Sequence, residues 1–155
     1  MKIYLSTSGG PSLKWGKAIV SLVALPKHLV NIVCSLAERY GKEVVGFGIG
    51  FSEGGRVLVE DIIIGENLSE EVNEFYLDPV AIIEAFKYSE LGGYEVVALV
   101  HTHRQGTSPS SLDVEGMRLW PIPWIIVDEL DCSVKAWILK EKGELEELTV
   151  ELVPT

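Results

Sequence analysis

Cysteine and histidine are scarce in this chain: two cysteines and three histidines in 155 residues. Basic side chains number 13 against 23 acidic ones, for a formal charge of −10. Two cysteines are too few for a disulfide framework or a Cys-only metal site. Cys34 and Cys132 both sit among apolar neighbours and are expected to be free, buried small hydrophobes. With so few Lys and Arg there is no basic stripe to track a phosphate backbone, so nucleic acid is excluded as the main partner. No apolar run approaches the roughly 20 residues of a membrane span, which excludes a membrane partner. Met1 to Leu5 soon reach Gly9-Gly10-Pro11 without the apolar core of a signal peptide, so the cytoplasm is the expected compartment. There is no internal repeat, low-complexity tract or Pro/Ser-rich linker. Residues 1–155 are therefore expected to form a single domain, and 47% hydrophobic content is enough for one core.

The patterning alternates strands and helices. Residues 18–25 read as a strand that ends at Pro26, and a helix follows with Leu29, Ile32, Val33, Leu36 and Tyr40 on one face and Gly41 at its C-cap. Residues 43–51 and 56–64 flank Gly54-Gly55 as a hairpin. An acidic loop covers 65–76. Asp78-Pro79 then starts a helix through Ala81, Ile82, Ala85 and Phe86 that stops near Gly92-Gly93. Residues 95–101 are the most continuous apolar strand and belong at the centre of a sheet. A polar loop at 104–111, a short helix over 111–119, and strands near 123–127, 133–139 and 145–152 complete an α/β fold, a mixed β-sheet flanked by helices. Trp120, Trp124 and Trp137 read as core or edge packing.

The chemistry concentrates at the end of the central strand. Two of the three histidines are His101 and His103, and the two-residue period of a strand points both to one face. The loop with Gly106 and Pro109 can turn the chain back so that Asp113 joins them. Two imidazoles and a carboxylate with a position left for water describe a catalytic rather than a structural zinc site. Ser110-x-x-Asp113 also has the spacing of a helix capping box, and capping and catalysis are compatible. Such a site needs a general base. Glu43 is the acid best placed for that role, although its position alone favours a solvated strand-end glutamate. Gly46, Gly48 and Gly50 leave one face of its strand bare, so a ligand or a neighbouring element can approach closely.

His101-x-His103, Ser110-x-x-Asp113 and the upstream Glu43-x-x-Gly46-x-Gly48-x-Gly50 together resemble the motif of the JAMM (MPN+) metalloproteases. The likeness covers most of the chain and implies an MPN (cytidine-deaminase-like) domain. It implies that His101, His103 and Asp113 hold Zn²⁺, that Glu43 is the general base and then the acid for the leaving amine, and that Ser110 hydrogen-bonds the oxyanion. It further implies hydrolysis of the peptide or isopeptide bond after the C-terminal tail of a ubiquitin-like modifier or sulfur-carrier protein. Two departures stand out. The loop from Arg104 to Pro109 is one residue shorter than the family's usual loop, which makes Ser111 a second candidate oxyanion donor. Arg104 also replaces the proline that commonly follows the second histidine, where its guanidinium is a candidate substrate contact. The expected platform for the tail is the Gly-rich strand 43–51 with the acidic 65–76 loop, engaged by strand addition at an exposed edge. A non-catalytic scaffold on the same fold and a zinc hydrolase of small amides are the rival readings. Cytidine-deaminase chemistry is disfavoured, because His-x-Glu and Pro-Cys-x-x-Cys are absent.

Overall fold

A computed structural model describes residues 2–3, 19–65, 67, 76–77 and 79–154. Most of the acidic 65–76 loop, the Gly9-Gly10-Pro11 segment and the expected Asp78 cap lie outside the described residues. In chain order the elements are β1 (Lys2–Ile3), β2 (Leu22–Pro26), α1 (Lys27–Tyr40), β3 (Val45–Glu53), β4 (Arg56–Gly65), β5 (Tyr76–Leu77), α2 (Pro79–Leu91), β6 (Glu95–His103), α3 (Ser111–Leu119), β7 (Trp124–Asp128), β8 (Val134–Leu139) and β9 (Leu145–Val153). The expected mixed sheet is present, and it closes on itself. Its order is β2-β4-β3-β6-β7-β8-β9, with β9 back beside β2. The β2–β4, β2–β9 and β6–β7 pairs are parallel and the others antiparallel. β1 and β5 form a separate parallel pair.

Local chemistry explains the element ends. α1 follows directly on Pro26, whose extended backbone and fixed φ suit the position before a helix. It stops at Gly41 in the left-handed conformation (φ 64°), whose N–H reaches the Ala37 carbonyl. Gly54 and Gly55, at φ 57° and 79°, make the β3–β4 turn that their sequence predicts. The buried face of α1 is Leu29, Val30, Val33, Cys34 and Ala37, whereas Ile32 and Tyr40 point outward. The helix therefore sits rotated from the face its apolar spacing predicts.

Two apolar layers lie on opposite faces of the sheet. One packs α1 against Val57, Val59, Val97, Val100, Ile125 and Val127. The other joins Val45, Phe47, Ile49 and Leu99 to Ile82 and Ala85 of α2, Met117 of α3, and Trp120 and Trp124. β6 alternates between these layers with one interruption. The ladder to β3 shifts register between Gly48 and Ile49, which leaves Val97 unpaired as a bulge. Beyond the bulge the alternation is regular, so Leu99, His101 and His103 share the α2/α3 face, and Val100 and Thr102 share the α1 face.

Two expectations are corrected here. Cys34 of α1 and Cys132 of the β7–β8 turn are joined as a disulfide across 98 positions, so neither is a free thiol. Periodicity and local neighbours carry no information about a partner so far along the chain. The Gly-rich strand is also no platform for an added strand, because β3 is hydrogen-bonded on both sides, to β4 and to β6. Its glycines serve the neighbouring element. A Cβ at Gly46 would come within 2.5 Å of the Ile63 carbonyl oxygen, and one at Gly50 would land on the Leu58 carbonyl oxygen. They permit the tight passage of β4 over β3 as the sheet curls.

Candidate metal centre

The site lies at the C-terminal end of β6, where the strand emerges from the core. His101 is fully buried and His103 partly so, and their rings stand edge to face with centroids 4.7 Å apart. Trp124 of β7 packs edge-on against His101 at 5.7 Å and closes the inner side of the site. The chain leaves β6, crosses the 104–110 loop, and returns as α3, whose first turn carries the buried Asp113. Asp113 Oδ2 lies 2.9 Å from His103 Nε2, and Oδ1 lies 3.4 Å from His101 Nε2. Among the described residues, one donor atom from each of His101, His103 and Asp113 falls within 4.8 Å of the others.

Ser110 is the N-cap of α3. Its Oγ accepts from the Asp113 N–H at 3.1 Å, and its own N–H donates to Asp113 Oδ2 at 2.9 Å, so the capping box is complete. The box aims the Asp113 carboxylate at the histidines. Capping and a place in the site thus coincide, and the exposed Ser110 hydroxyl keeps its proton to donate. Ser111, one residue on, is the first helical residue and takes no part in the box.

Glu43 reaches the same face by register. Val45 pairs with His101 and the Val44 carbonyl accepts from the Thr102 N–H at 2.9 Å. Continued one residue past β3, that register would set Glu43 opposite His103, and the charges of His103 and Asp113 do act on its carboxyl. Directly opposed residues of an antiparallel pair share a face. The Glu43 side is buried, at 5% exposure. Burial pushes its carboxyl up to about 7; His103 pulls it down, and Asp113 and Glu129 add to the rise.

Two of the three donors, His101 and Asp113, are shifted toward the protonation state a divalent cation requires. Burial lowers His101 to about 4, against the pull of Asp113, so its imidazole is neutral at pH 7. Burial works against an ionised Asp113, but the two histidines and the Ser110 N–H outweigh it and hold the carboxyl well below the usual range. Burial also opposes charge on His103, yet the hydrogen bond and charge of Asp113, with Glu43, leave it above its ordinary value. A dication would compete with a proton for that imidazole nitrogen, so binding is coupled to proton release. Two neutral nitrogens and one ionised oxygen form a set that zinc accepts, and three protein ligands leave a position open.

Several supports were not legible as functional in the sequence. Asp128, at the end of β7, accepts from the Gly106 N–H at 2.8 Å, and Trp137 Nε1 donates to the Thr107 carbonyl at 2.7 Å; together they pin the 104–110 loop. Glu129 donates its N–H to the His103 carbonyl at 2.9 Å. The signal, visible only in retrospect, is a pair of acids at the end of a strand parallel to β6. Arg104 donates to the Gly41 carbonyl at 2.6 Å, which ties the site loop to the C-terminus of α1.

Comparison with known proteins shows the family and the fold. The family model described as prokaryotic homologs of the JAB domain matches residues 25–140. A Pyrococcus furiosus protein named desampylase is 34% identical over 131 residues, which span 84% of this chain and 90% of that one. A Thermus thermophilus protein named as a probable TtuB-protein conjugate cleaving protease is 33% identical over 100 residues, 63% of this chain and 65% of its own. The solution structure of a Desulfitobacterium hafniense protein superposes with a TM-score of 0.74 at 22% identity, covering 86% of this chain and 94% of that one, a likeness of fold.

Proposed function

The chain belongs to the family of prokaryotic JAB-domain homologues, and from that premise we propose that it is a zinc-dependent isopeptidase. Residues 1–155 act as one domain that hydrolyses the bond after the C-terminal tail of a ubiquitin-like modifier or sulfur-carrier protein. The observation that carries the reading is the convergence of His101, His103 and Asp113 beside a buried Glu43 on one face. The names of the two relatives, a desampylase and a conjugate-cleaving protease, support a protein conjugate as substrate. Among the described residues no helix is long and apolar enough to cross a membrane, and the proposed compartment is the cytoplasm.

His101, His103 and Asp113 would hold the zinc ion. Zinc bound there supplies a Lewis acid for the scissile carbonyl and makes water acidic enough to lose a proton near neutral pH. Glu43, with a carboxyl near 7, is matched to accept that proton and then deliver it to the departing amine. The Ser110 hydroxyl donates to the oxyanion, and one such donor is typically worth about 3–4 kcal/mol. Arg104, whose guanidinium donates to the Gly41 carbonyl, is a candidate contact for a substrate carboxylate or carbonyl.

The test combines metal analysis with a substrate panel. Protein prepared without chelator should carry near-stoichiometric zinc, lost in His101→Ala and Asp113→Ala. Amides of short Gly-Gly peptides, with and without a folded ubiquitin-like head, then separate the substrate classes. Turnover that needs the head supports the proposal, turnover of short amides alone assigns a small-amide hydrolase, and zinc without turnover of either refutes the enzyme.

A further inference from the structure

Thr102 lies between the two histidines but faces the other way. It is completely buried, in the layer formed by α1, Val44, Val100 and Val127. A hydroxyl in apolar surroundings is costly unless bonded, and a valine would fill the same space. The Thr102 hydroxyl is bonded twice: Oγ1 accepts from the Val44 N–H at 2.9 Å and donates to Glu129 Oε2 at 2.9 Å.

The first of these bonds replaces a rung of the sheet. The β3–β6 ladder ends at Val45 and His101, so the Val44 N–H lies beyond the last paired residue. That nitrogen belongs to the Glu43–Val44 peptide. The carbonyl of the same peptide accepts from Asn67 Nδ2 at 2.9 Å. A peptide unit is planar, so holding its N–H on one side and its C=O on the other fixes the plane from which the Glu43 side chain springs. The second bond fixes the Thr102 rotamer, and Glu129 is itself anchored through its N–H to the His103 carbonyl. A continuous chain of bonds therefore runs from the β7–β8 turn through Thr102 to the backbone of Glu43.

We propose that Thr102 and Glu129 are positioning residues that hold the Glu43–Val44 peptide, and through it the Glu43 carboxylate, in register with the His101–His103–Asp113 triad. This inference rests on the isopeptidase reading. Neither residue touches the substrate. Their effect is on the placement of the base, where an error near 1 Å costs on the order of 100-fold in rate.

The test compares Thr102→Val, Thr102→Ser, Glu129→Ala and Glu129→Gln with wild type, using a ubiquitin-like protein that carries a C-terminal aminocoumarin amide. Thr102→Val is expected to keep one zinc per chain and its KM, to lose about 10- to 100-fold in kcat, and to speed hydrogen exchange at the Val44 amide. Thr102→Ser and Glu129→Gln, which keep the donor and the acceptor, should stay within about threefold of wild type in the pH-independent limiting kcat, and Glu129→Ala should fall with Thr102→Val in the same quantity. A kcat for Thr102→Val within twofold of wild type overturns the proposal. So does equal loss in the serine variant, or a loss that tracks zinc content. If Thr102→Val does not fold, Glu129→Ala decides, and wild-type kcat there overturns the proposal. A wild-type protein without turnover removes the isopeptidase reading and this inference together, whereas an active wild type, an inactive Glu43→Gln and a fully active Thr102→Val remove this inference alone.

Discussion

Replacing Glu43 by glutamine should abolish activity and should make the metal-free protein more stable above about pH 4.5, by a margin that grows until about pH 7. The carboxyl is raised from its ordinary 4.5 to about 7, chiefly by burial. A carboxyl whose folded-state pKa lies above its unfolded value holds its proton more tightly in the folded state. Its favourable contribution is complete below pH 4.5 and is lost as the pH rises through about 7. At about 1.4 kcal/mol per pH unit, the ionised group costs the folded state ~3 kcal/mol by pH 8. Glutamine never ionises and escapes this loss. The stability gap between Glu43→Gln and wild type should therefore open from near zero at pH 4.5 to ~3 kcal/mol in the variant's favour at pH 8. Denaturant unfolding of chelator-treated protein across that range measures it. Other titrating groups are common to both proteins and cancel in the difference, apart from His103, which Glu43 helps hold above its ordinary value. Zinc should narrow the gap, because its charge favours the carboxylate. Turnover should fall by about 10²–10⁴ with zinc retained, the usual worth of a general base. A gap that does not change with pH, or a wild type that is the more stable at pH 8, would refute the claim that Glu43 is held buried as a poised base.

Two further outcomes test the fold beneath the site. Gly50→Ala puts a methyl onto the Leu58 carbonyl oxygen and should cost more than ~4 kcal/mol or prevent folding. Gly48→Ala, whose Cβ would meet side-chain carbons at 3.3 and 3.4 Å, should be clearly milder; equal thermal midpoints for the two variants would contradict the close approach of β4. Reducing the Cys34–Cys132 bond, or replacing either cysteine by serine, should lower stability by about 2–5 kcal/mol. An unfolding midpoint indifferent to reductant would show that the bond does not form in solution.

Much of this architecture is legible in the chain because the signals are local. Gly54-Gly55 marks the β3–β4 turn, Pro26 and Gly41 bracket α1, and the apolar run from Glu95 ends in the histidines. The triad is legible because strand alternation and a capping box are short-range rules, and both hold beyond the Val97 bulge. What escaped depends on partners distant in sequence. Nothing near Cys34 announces Cys132. Nothing in the spacing of Gly46, Gly48 and Gly50 tells a ligand from the backbone of β4, and the structure chooses the latter. Ile32 and Tyr40 fit the helical period of α1, yet the concave sheet accepts only the narrower face from Leu29 to Ala37. Thr102 and Glu129 are single polar residues whose meaning appears only once β7 lies beside β6.

The seam between β2 and β9 sets an order of assembly. Five residues of β2, Leu22 to Pro26, pair with Thr149 to Val153, whereas only three pair with β4. The hairpin, the metal-bearing strand and its helices can gather early from nearby contacts. The ring itself cannot shut until residues about 127 positions apart have met, the kind of long-range step that slows folding. A chain cut before Thr149 would thus retain every candidate ligand and still leave β2 holding on by its short flank alone, an open staves-without-hoop form prone to pair with its neighbours.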